Sequence, residues 1–177
     1  MADSHTGEVQ WYLPKLRALI PLDGFHAPRS LRQLVKKNLF EIRINENFEA
    51  VMRECATERG DERGTWISEE MIEVYCELHD MGYAHSVESY QNGELVGGLY
   101  GVSMGGAFFG ESMFYRVSNA SKVALYHLVE RLKSRNFAML DSQFINDNVA
   151  RFGAIEVPHN DYLFLLKAAL KVRTCFA

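Results

Sequence analysis

The stretch that decides the fold is "AHSVESYQNGELVGGLYGV", residues 84–102. It contains two strand-like runs separated by Gln91-Asn92-Gly93. Asn-Gly is favoured in tight hairpin turns because both residues adopt positive φ at low cost. The stretch therefore predicts an antiparallel hairpin. The glycines at 105 and 106 predict a second turn into a third strand, "AFFGESMFY" (107–115), which completes a meander.

Helical periodicity flanks this meander on both sides. Upstream, apolar stripes at helical spacing follow Ser30, Asn47 and Ser68, which are residue types that cap helices, and an alternating strand lies at 39–45. Downstream come the long helix "SKVALYHLVERLKSR", a strand at 137–144, a short helix near 147–152, an edge strand at 154–157 and a final helix from Pro158. From the strand at 39–45 to the helix near 147–152, the order β-α-α-β-β-β-α-β-α resembles the GNAT (acyl-CoA N-acyltransferase-like) fold. We therefore expect an α+β architecture with an antiparallel meander plus helices.

Length and composition predict one globular domain. The chain has 177 residues, of which 47% are hydrophobic and 24% charged, as in proteins with a single folded core. We expect a flexible N-terminal tail at residues 1–10 and one domain over residues 11–177. No apolar run approaches the roughly 18 residues that cross a bilayer, and the polar N-terminus has no signal-peptide core. We therefore expect a cytoplasmic protein with no membrane partner.

The usual metal and cofactor motifs are missing from the sequence. The three scattered cysteines form no CxxC pair, and the six histidines have no metal-binding spacing. Between the third meander strand and the long helix stands "RVSNASK" (116–122). It lacks the glycines with which an acetyl-coenzyme-A user holds a pyrophosphate at a helix N-terminus. The sequence therefore predicts no metal and no tightly bound organic cofactor.

Polar side chains end the predicted strand in "LDSQFINDN" (140–148). Asp141 and Gln143 are two positions apart, and a strand places such residues on one face. The pair could orient a proton-bearing group, or it could cap the following helix. In the third meander strand, Glu111 points into a protein face, where a carboxylate is costly unless it is paired. It could form a structural ion pair or belong to a site.

Seven motifs together resemble one enzyme family. In chain order they are "GTWIS" (64–68), "GYAHSVESY" (82–90), "ELVGGLYGV" (94–102), "FFGESMF" (108–114), "NASKVAL" (119–125), "LDSQFINDN" (140–148) and "GAIEVPHNDYL" (153–163). With these motifs the chain resembles the bacterial leucyl/phenylalanyl-tRNA–protein transferases over nearly its whole length after the tail. The ESMF and D-x-Q elements are specific in combination.

The resemblance implies a peptidyl-transfer reaction. The aminoacyl ester of an aminoacyl-tRNA is attacked by the free α-amino group of an acceptor protein or peptide with N-terminal Lys or Arg, and the product is marked for degradation. The D-x-Q pair implies catalytic roles for Asp141 and Gln143. The Gln carbonyl hydrogen-bonds the attacking amine, chiefly to position it, and the Asp polarises the Gln. Glu111 is implied to contact the terminal adenosine or the substrate amine.

The resemblance also implies an apolar pocket for the transferred Leu or Phe side chain. Trp66 matches the family tryptophan, and Leu99 stands where the family pattern usually has Met. Ser112 and Asn119 are expected to shape the site by hydrogen bonding. The remaining expected pocket residues are Tyr100, Phe109 and Met113. Several members of this set could instead be ordinary core.

Two departures from the family pattern concern tRNA binding. The family pattern places a small N-terminal domain before the region that matches Trp11, and we expect this chain to lack it. The net charge of −4 also argues against broad nucleic-acid binding. A local basic patch could still contact phosphates. The candidate tRNA contacts lie on the first and last helices: Arg29, Arg32, Lys36, Lys37, Lys167, Lys171 and Arg173. Each could also belong to a solvated helix face.

Two other functions stay open from the sequence. The same catalytic core could act on a small-molecule or biosynthetic peptide acceptor, which the missing domain makes credible. The chain could also be a non-catalytic tRNA- or peptide-binding module. The presence of Asp141, Gln143 and Glu111 argues against the non-catalytic function.

Overall fold

The computed structural model describes residues 13–57 and 67–177. The strands are β1 (Leu16–Leu19), β2 (Glu41–Ile44), β3 (Ala84–Gln91), β4 (Glu94–Met104), β5 (Ala107–Tyr115), β6 (Met139–Gln143) and β7 (Ile155–Pro158). The helices are α1 (Arg29–Lys36), α2 (Phe48–Ala56), α3 (Glu69–Asp80), α4 (Ala120–Ser134), α5 (Asp147–Ala150) and α6 (His159–Ala169). These strands form one mixed sheet in the order β2-β3-β4-β5-β6-β1-β7. The predicted α+β class is confirmed.

The predicted meander forms the centre of this sheet. Strands β3, β4 and β5 pair antiparallel in chain order. Asn92 and Gly93 have φ of 54° and 81°, as the hairpin turn requires. Strand β5 then pairs with β6 in parallel, but only over residues 107–109 against 139–141. Pairing on that side of β5 ends there, and the candidate site described below lies in the resulting gap.

Of the three predicted helix caps, only the one on α3 forms through its own side chain. Ser68 Oγ accepts from the Met71 N–H at 3.2 Å. The N-terminus of α2 is instead capped from the sheet, because the buried carboxylate of Glu88 accepts from the Asn47 N–H at 2.9 Å. Helix α1 begins before Ser30, which therefore lies inside the helix and does not cap it.

Helices cover both faces of the sheet. Helices α1 and α4 pack on one face over a core that includes Leu99, Phe108 and Leu140. On the opposite face, α2 and α3 pack over Tyr100 and Phe114, and α6 covers β1, β6 and β7. Neighbouring residues of one strand, such as Leu99 and Tyr100, thus contribute to different cores, as strand geometry requires.

Glycine 97 allows the N-terminus of α4 to lie directly on β4. A Cβ at this position would be 2.5 Å from Ala120 Cβ and 3.0 Å from the Ser121 nitrogen. Any larger residue would push the helix away from the sheet. The close approach places the first turn of α4 beside the gap at the end of the β5–β6 pairing.

We expect Gly97→Ala to lower the free energy of unfolding by about 1–3 kcal/mol, because α4 must shift to admit the methyl group. Denaturant unfolding followed by circular dichroism measures the loss. Gly24→Ala is the matched control, since its Cβ would meet only the Pro21 side chain, at 3.3 Å. We expect that control to change stability by less than about 0.5 kcal/mol. Wild-type stability in Gly97→Ala would contradict the close packing.

Candidate active site

A cavity of about 260 Å³ lies where β5 and β6 stop pairing. Its apolar wall comes from α4 and the sheet and includes Leu99, Met113, Leu125, Leu128 and Leu140. Its polar wall comes from β5 and β6 and includes Glu111, Ser112 and Asp141. An apolar cavity with a few polar groups on one side suits an apolar ligand whose orientation must be fixed.

A β-bulge places Glu111 at the edge of the gap. Tyr100 on β4 pairs with Ser112, and Gly101 pairs with Gly110, so Glu111 between them has no partner residue on β4. A bulge inserts one residue into a strand and redirects the side chains around it. The side chain of Glu111 therefore departs from the simple alternation of β5.

A second bulge lies in β6, between the two predicted catalytic residues. Ala18 pairs with Gln143 and Leu19 pairs with Asp141, so Ser142 is left without a partner on β1. Gln143 has a φ of 68°, in the left-handed region that non-glycine residues rarely adopt. The prediction that strand alternation alone places Asp141 and Gln143 on one face was wrong, because the bulge interrupts the alternation between them.

The carboxylate of Asp141 is completely buried and is bonded to three parts of the chain. Its Oδ2 accepts from Arg17 Nη2 on β1 at 2.6 Å and from the Tyr162 hydroxyl on α6 at 2.7 Å. Its Oδ1 accepts from the backbone N–H of Gln143 at 2.7 Å. Burial and the adjacent carboxylate raise the pKa of Tyr162, so the phenol remains a donor. These contacts offset the desolvation of the carboxylate.

The amide of Gln143 has one orientation consistent with its neighbours. Its Nε2 donates to the Gly110 carbonyl at 3.3 Å and to Glu111 Oε2 at 2.8 Å. A backbone carbonyl only accepts, so the NH₂ group must face Gly110 and the amide oxygen must face away. No residue that the structure describes donates to that oxygen. Gln143 thus presents a free hydrogen-bond acceptor.

These contacts differ from the predicted interaction between the two residues. Asp141 bonds the backbone of Gln143, whereas Glu111 bonds its side-chain amide. Glu111 forms no ion pair with any described residue, so the structural ion-pair alternative does not hold within the described part of the chain. Burial raises the pKa of Glu111, and the hydrogen bond from Gln143 opposes this shift.

The structure brings most of the predicted site residues together. Lining the cavity are Leu99, Tyr100, Glu111, Ser112, Met113 and Asp141. Gln143 joins them through its hydrogen bond to Glu111. Phe109 packs in the core beneath α6, and Asn119 lines two neighbouring cavities at the start of α4. Trp66 lies outside the described residues.

The predicted tRNA contacts form two separate groups. All seven are exposed: Arg29, Arg32, Lys36 and Lys37 on or next to α1, and Lys167, Lys171 and Arg173 on or after α6. Helix α1 packs against α4 on one face of the sheet, and α6 covers the other face. The two groups therefore cannot form one continuous basic surface.

Arg17 and Tyr162 are the residues that the sequence did not single out. Arg17 stands in "LRALIP" (16–21), where a single charge precedes an apolar run. That isolated charge was the available signal. Tyr162 belongs to the apolar stripe of the last helix and gave no signal of its own. Among the described residues, no group of three or more His, Cys, Asp or Glu side chains could hold a metal ion.

Glu111 should make stability depend on pH in a defined direction. Its folded pKa lies above the ordinary value of 4.5, so the folded state holds this proton more tightly than the unfolded state does. The resulting stabilisation is fully present below the ordinary pKa and is lost as pH rises through the folded pKa. We therefore expect wild type to lose stability relative to Glu111→Gln as pH rises through that window. Denaturant unfolding of both proteins from about pH 3.5 to 7.5 tests this, with exposed Glu70→Gln as control. A pH-independent difference would contradict the direction of the shift.

Removing Arg17 should be costly, because it leaves the buried Asp141 carboxylate without its cation. We expect Arg17→Met to lower the free energy of unfolding by about 3–5 kcal/mol. Arg53 pairs with Glu49 and Glu69 on the surface, and Arg53→Met should cost less than about 1 kcal/mol. Denaturant unfolding at neutral pH compares the two variants. Similar losses in both would show that the Arg17–Asp141 pair behaves as a surface pair.

Two solved structures share the fold at low sequence identity. The chain superposes on L-PGS from Bacillus licheniformis with a TM-score of 0.54 and 13% identity, over 90% of this chain and 66% of that one. A conserved protein of unknown function from Staphylococcus epidermidis gives a TM-score of 0.50 and 13% identity, over 81% of this chain and 57% of that one. At these identities the similarity concerns the fold alone.

Sequence comparison is far more specific. The profile of the family described as leucyl/phenylalanyl-tRNA protein transferase matches residues 19–167. The leucyl/phenylalanyl-tRNA–protein transferase of Chlorobaculum parvum is 53% identical, over 99% of this chain and 91% of that protein. That of Gloeobacter violaceus is 52% identical over 96% and 86%, and that of Zymomonas mobilis is 52% identical over 96% and 64%. The chain therefore belongs to the leucyl/phenylalanyl-tRNA–protein transferase family.

Proposed function

We propose that this protein transfers Leu or Phe from charged tRNA to the N-terminal α-amino group of an acceptor protein, which is thereby marked for degradation. The names of relatives that are about half identical over nearly the whole chain support this function. The structural observation that carries the proposal is the free amide oxygen of Gln143, held beside Glu111 at the polar side of an apolar cavity.

Gln143 positions the attacking amine. Its amide oxygen accepts a hydrogen bond from the neutral α-amino group of the acceptor, which directs the nitrogen lone pair at the ester carbonyl. The new C–N bond forms as the ester C–O bond breaks. The amine loses one proton, and the ribose oxygen gains one as it leaves as the tRNA 3′-hydroxyl. Glu111, whose pKa is raised by burial, lies beside Gln143 and accepts the amine proton.

Asp141 acts on Gln143 through the backbone. By accepting from the Gln143 N–H it stabilises the positive φ that aims the side chain at Glu111. A non-glycine residue in that conformation costs about 1–2 kcal/mol, which this charge-assisted hydrogen bond can offset. Asp141 is thus a positioning residue, and Gln143 is the catalytic residue that touches the substrate.

The apolar wall binds the transferred side chain. Burying a Leu or Phe side chain contributes about 1.5–3 kcal/mol, and Leu99, Met113 and Leu128 offer no hydrogen-bonding group to a polar one. We also assign Tyr100, Ser112, Asn119 and Trp66 to substrate binding, as the family motifs imply. Phe109 supports β5 from below, as its place in the α6 core suggests.

We further propose that the chain adopts a GNAT-type fold as one domain over residues 11–177. The meander, the short parallel β5–β6 pair and the single sheet that joins all described strands support this. The fold similarity to L-PGS is consistent with it.

The substrate implies where the protein works and what it contacts. Charged tRNA and an acceptor protein as substrates favour a cytoplasmic location. In the described residues, none of the helices has the length and hydropathy that a membrane crossing needs. Of the predicted tRNA contacts, we favour the group on α1 because α1 borders a cavity at the start of α4.

Gln143→Ala should lower transfer by about 100-fold while the protein stays folded, because the amine loses its positioning group. The assay measures radiolabelled Leu or Phe moved from charged tRNA to an acceptor that begins with Lys or Arg. Gln91→Ala, in the β3–β4 turn region, is the matched control and should keep full activity. Wild-type transfer by Gln143→Ala would refute the assignment.

Running the wild-type assay with small amines as acceptors tests the nearest alternative. Transfer to small amines without transfer to Lys- or Arg-initiated proteins would show that the acceptor is a small molecule and not a protein. Binding of charged tRNA with no turnover on any acceptor would refute an enzymatic function.

A further inference from the structure

We propose that the N-terminus of α4 binds the phosphate that joins the last two nucleotides of the tRNA acceptor strand. The site lies in a groove that leads away from the active-site cavity. This inference rests on the proposed function, because the ligand is the phosphodiester next to the aminoacylated adenosine. The residues of this site, Ser121 and Lys122, do not belong to the predicted basic groups on α1 and α6.

The groove consists of three adjoining cavities. The second cavity, of about 220 Å³, shares Met113, Leu125, Asn148 and Val149 with the active-site cavity. The third, of about 730 Å³, shares Asn119, Lys122 and Phe152 with the second. Their shared lining residues place the three cavities side by side, from the active site past the first turn of α4 to α1 and α5.

The first turn of α4 has backbone N–H donors without an acceptor among the described residues. Its N-cap residue Asn119 has a φ of 69° and provides no side-chain cap. The Ala120 N–H donates to Val117, but the N–H groups of Ser121 and Lys122 have no acceptor among the described residues. Uncapped N–H groups and the helix dipole attract anions. Ser121 and Lys122 both line the second cavity, so the first turn of α4 borders the groove.

Two side chains of the same turn indicate a ligand independently of the dipole. Ser121 is only 4% exposed and lines the second cavity, yet its hydroxyl hydrogen-bonds no described residue. Lys122 is half-buried and lines the second and third cavities. Its ammonium contacts only Asn119 Oδ1, at 3.2 Å, and pairs with no described carboxylate. A phosphate would give the Ser121 hydroxyl an acceptor and the Lys122 ammonium a counter-charge.

The spacing fits a phosphate one nucleotide from the ester. Ser121 and Leu125 are four residues apart, which is about 6 Å along a helix at 1.5 Å per residue. Leu125 lines the active-site cavity, so the phosphate site lies about the length of one nucleotide from the bound aminoacyl group. In the third cavity the charges of Asp147 and Arg151 offset each other. Lys122 is therefore the remaining cation of the second and third cavities. Without glycines in "RVSNASK" (116–122), the turn suits a single phosphate better than a pyrophosphate.

The test compares a substrate that carries this phosphate with one that lacks it. Phenylalanyl-tRNA and phenylalanyl-adenosine present the same ester, but only the tRNA has the phosphodiester. We expect Lys122→Met, which keeps the apolar stem, and Ser121→Ala each to raise KM for phenylalanyl-tRNA, by about tenfold for Lys122→Met. We expect kcat to change less than about twofold and the KM for phenylalanyl-adenosine to stay unchanged. The slope of log Kd for tRNA against log salt concentration should become shallower in Lys122→Met, by about the amount that one phosphate contact contributes.

Lys133→Met, in the last turn of the same helix, is the matched control and should behave as wild type with both substrates. Equal changes of KM for both substrates in Lys122→Met, or no change for either, would overturn the inference. Circular dichroism confirms that each variant folds. If the wild type transfers from neither substrate, the proposed function fails, but the groove is still tested by the Kd for uncharged tRNA. Weaker binding in Lys122→Met than in Lys133→Met would support the phosphate site, and equal binding would refute it.

Discussion

A carboxylate that loses all contact with water must recover its hydrogen bonds inside the protein, and Asp141 recovers them from three elements at once. The carboxylate accepts hydrogen bonds from Arg17 on β1, from Tyr162 on α6 and from the backbone N–H of Gln143 at the end of β6. The rest of the site follows from this junction. It fixes the end of β6 relative to β1, and it fixes the conformation that turns the Gln143 amide toward Glu111. The charge that stabilises the fold here is therefore the same charge that orients the Gln143 amide.

The site exists because two adjacent strands fail to continue as regular strands. Strands β5 and β6 pair over only three residues each, and beyond that point each carries a bulge. Regular pairing would close the gap with backbone hydrogen bonds and would leave no room for an ester. The bulges instead direct Glu111 and Gln143 toward each other across the opening. Apolar side chains from α4 then close one side of it.

Sequence patterns predicted the parts of this structure that depend on near neighbours. The Asn92-Gly93 turn and the Ser68 cap are set by residues within a few positions of each other, and the meander joins strands that follow one another in the chain. All three formed. That Asp141 belongs to the candidate site could be inferred only from the family motif. Its partners could not be inferred, because Arg17 is 124 residues away in sequence. The positive φ of Gln143 also depends on a register shift against β1, which no local pattern encodes.

The same sequence separation has a consequence for how the protein becomes active. Strand β1 pairs with β6 and β7, so the first strand of the described chain is inserted between two of the last. Contacts between distant segments form late in folding because closing a long loop costs entropy before any contact rewards it. On a ribosome, the meander can assemble while the segment that carries Asp141 is still being synthesised. The protein can then catalyse transfer only after the C-terminal part has left the ribosome and β1 has paired with β6 and β7. Activity therefore begins only when the fold is complete.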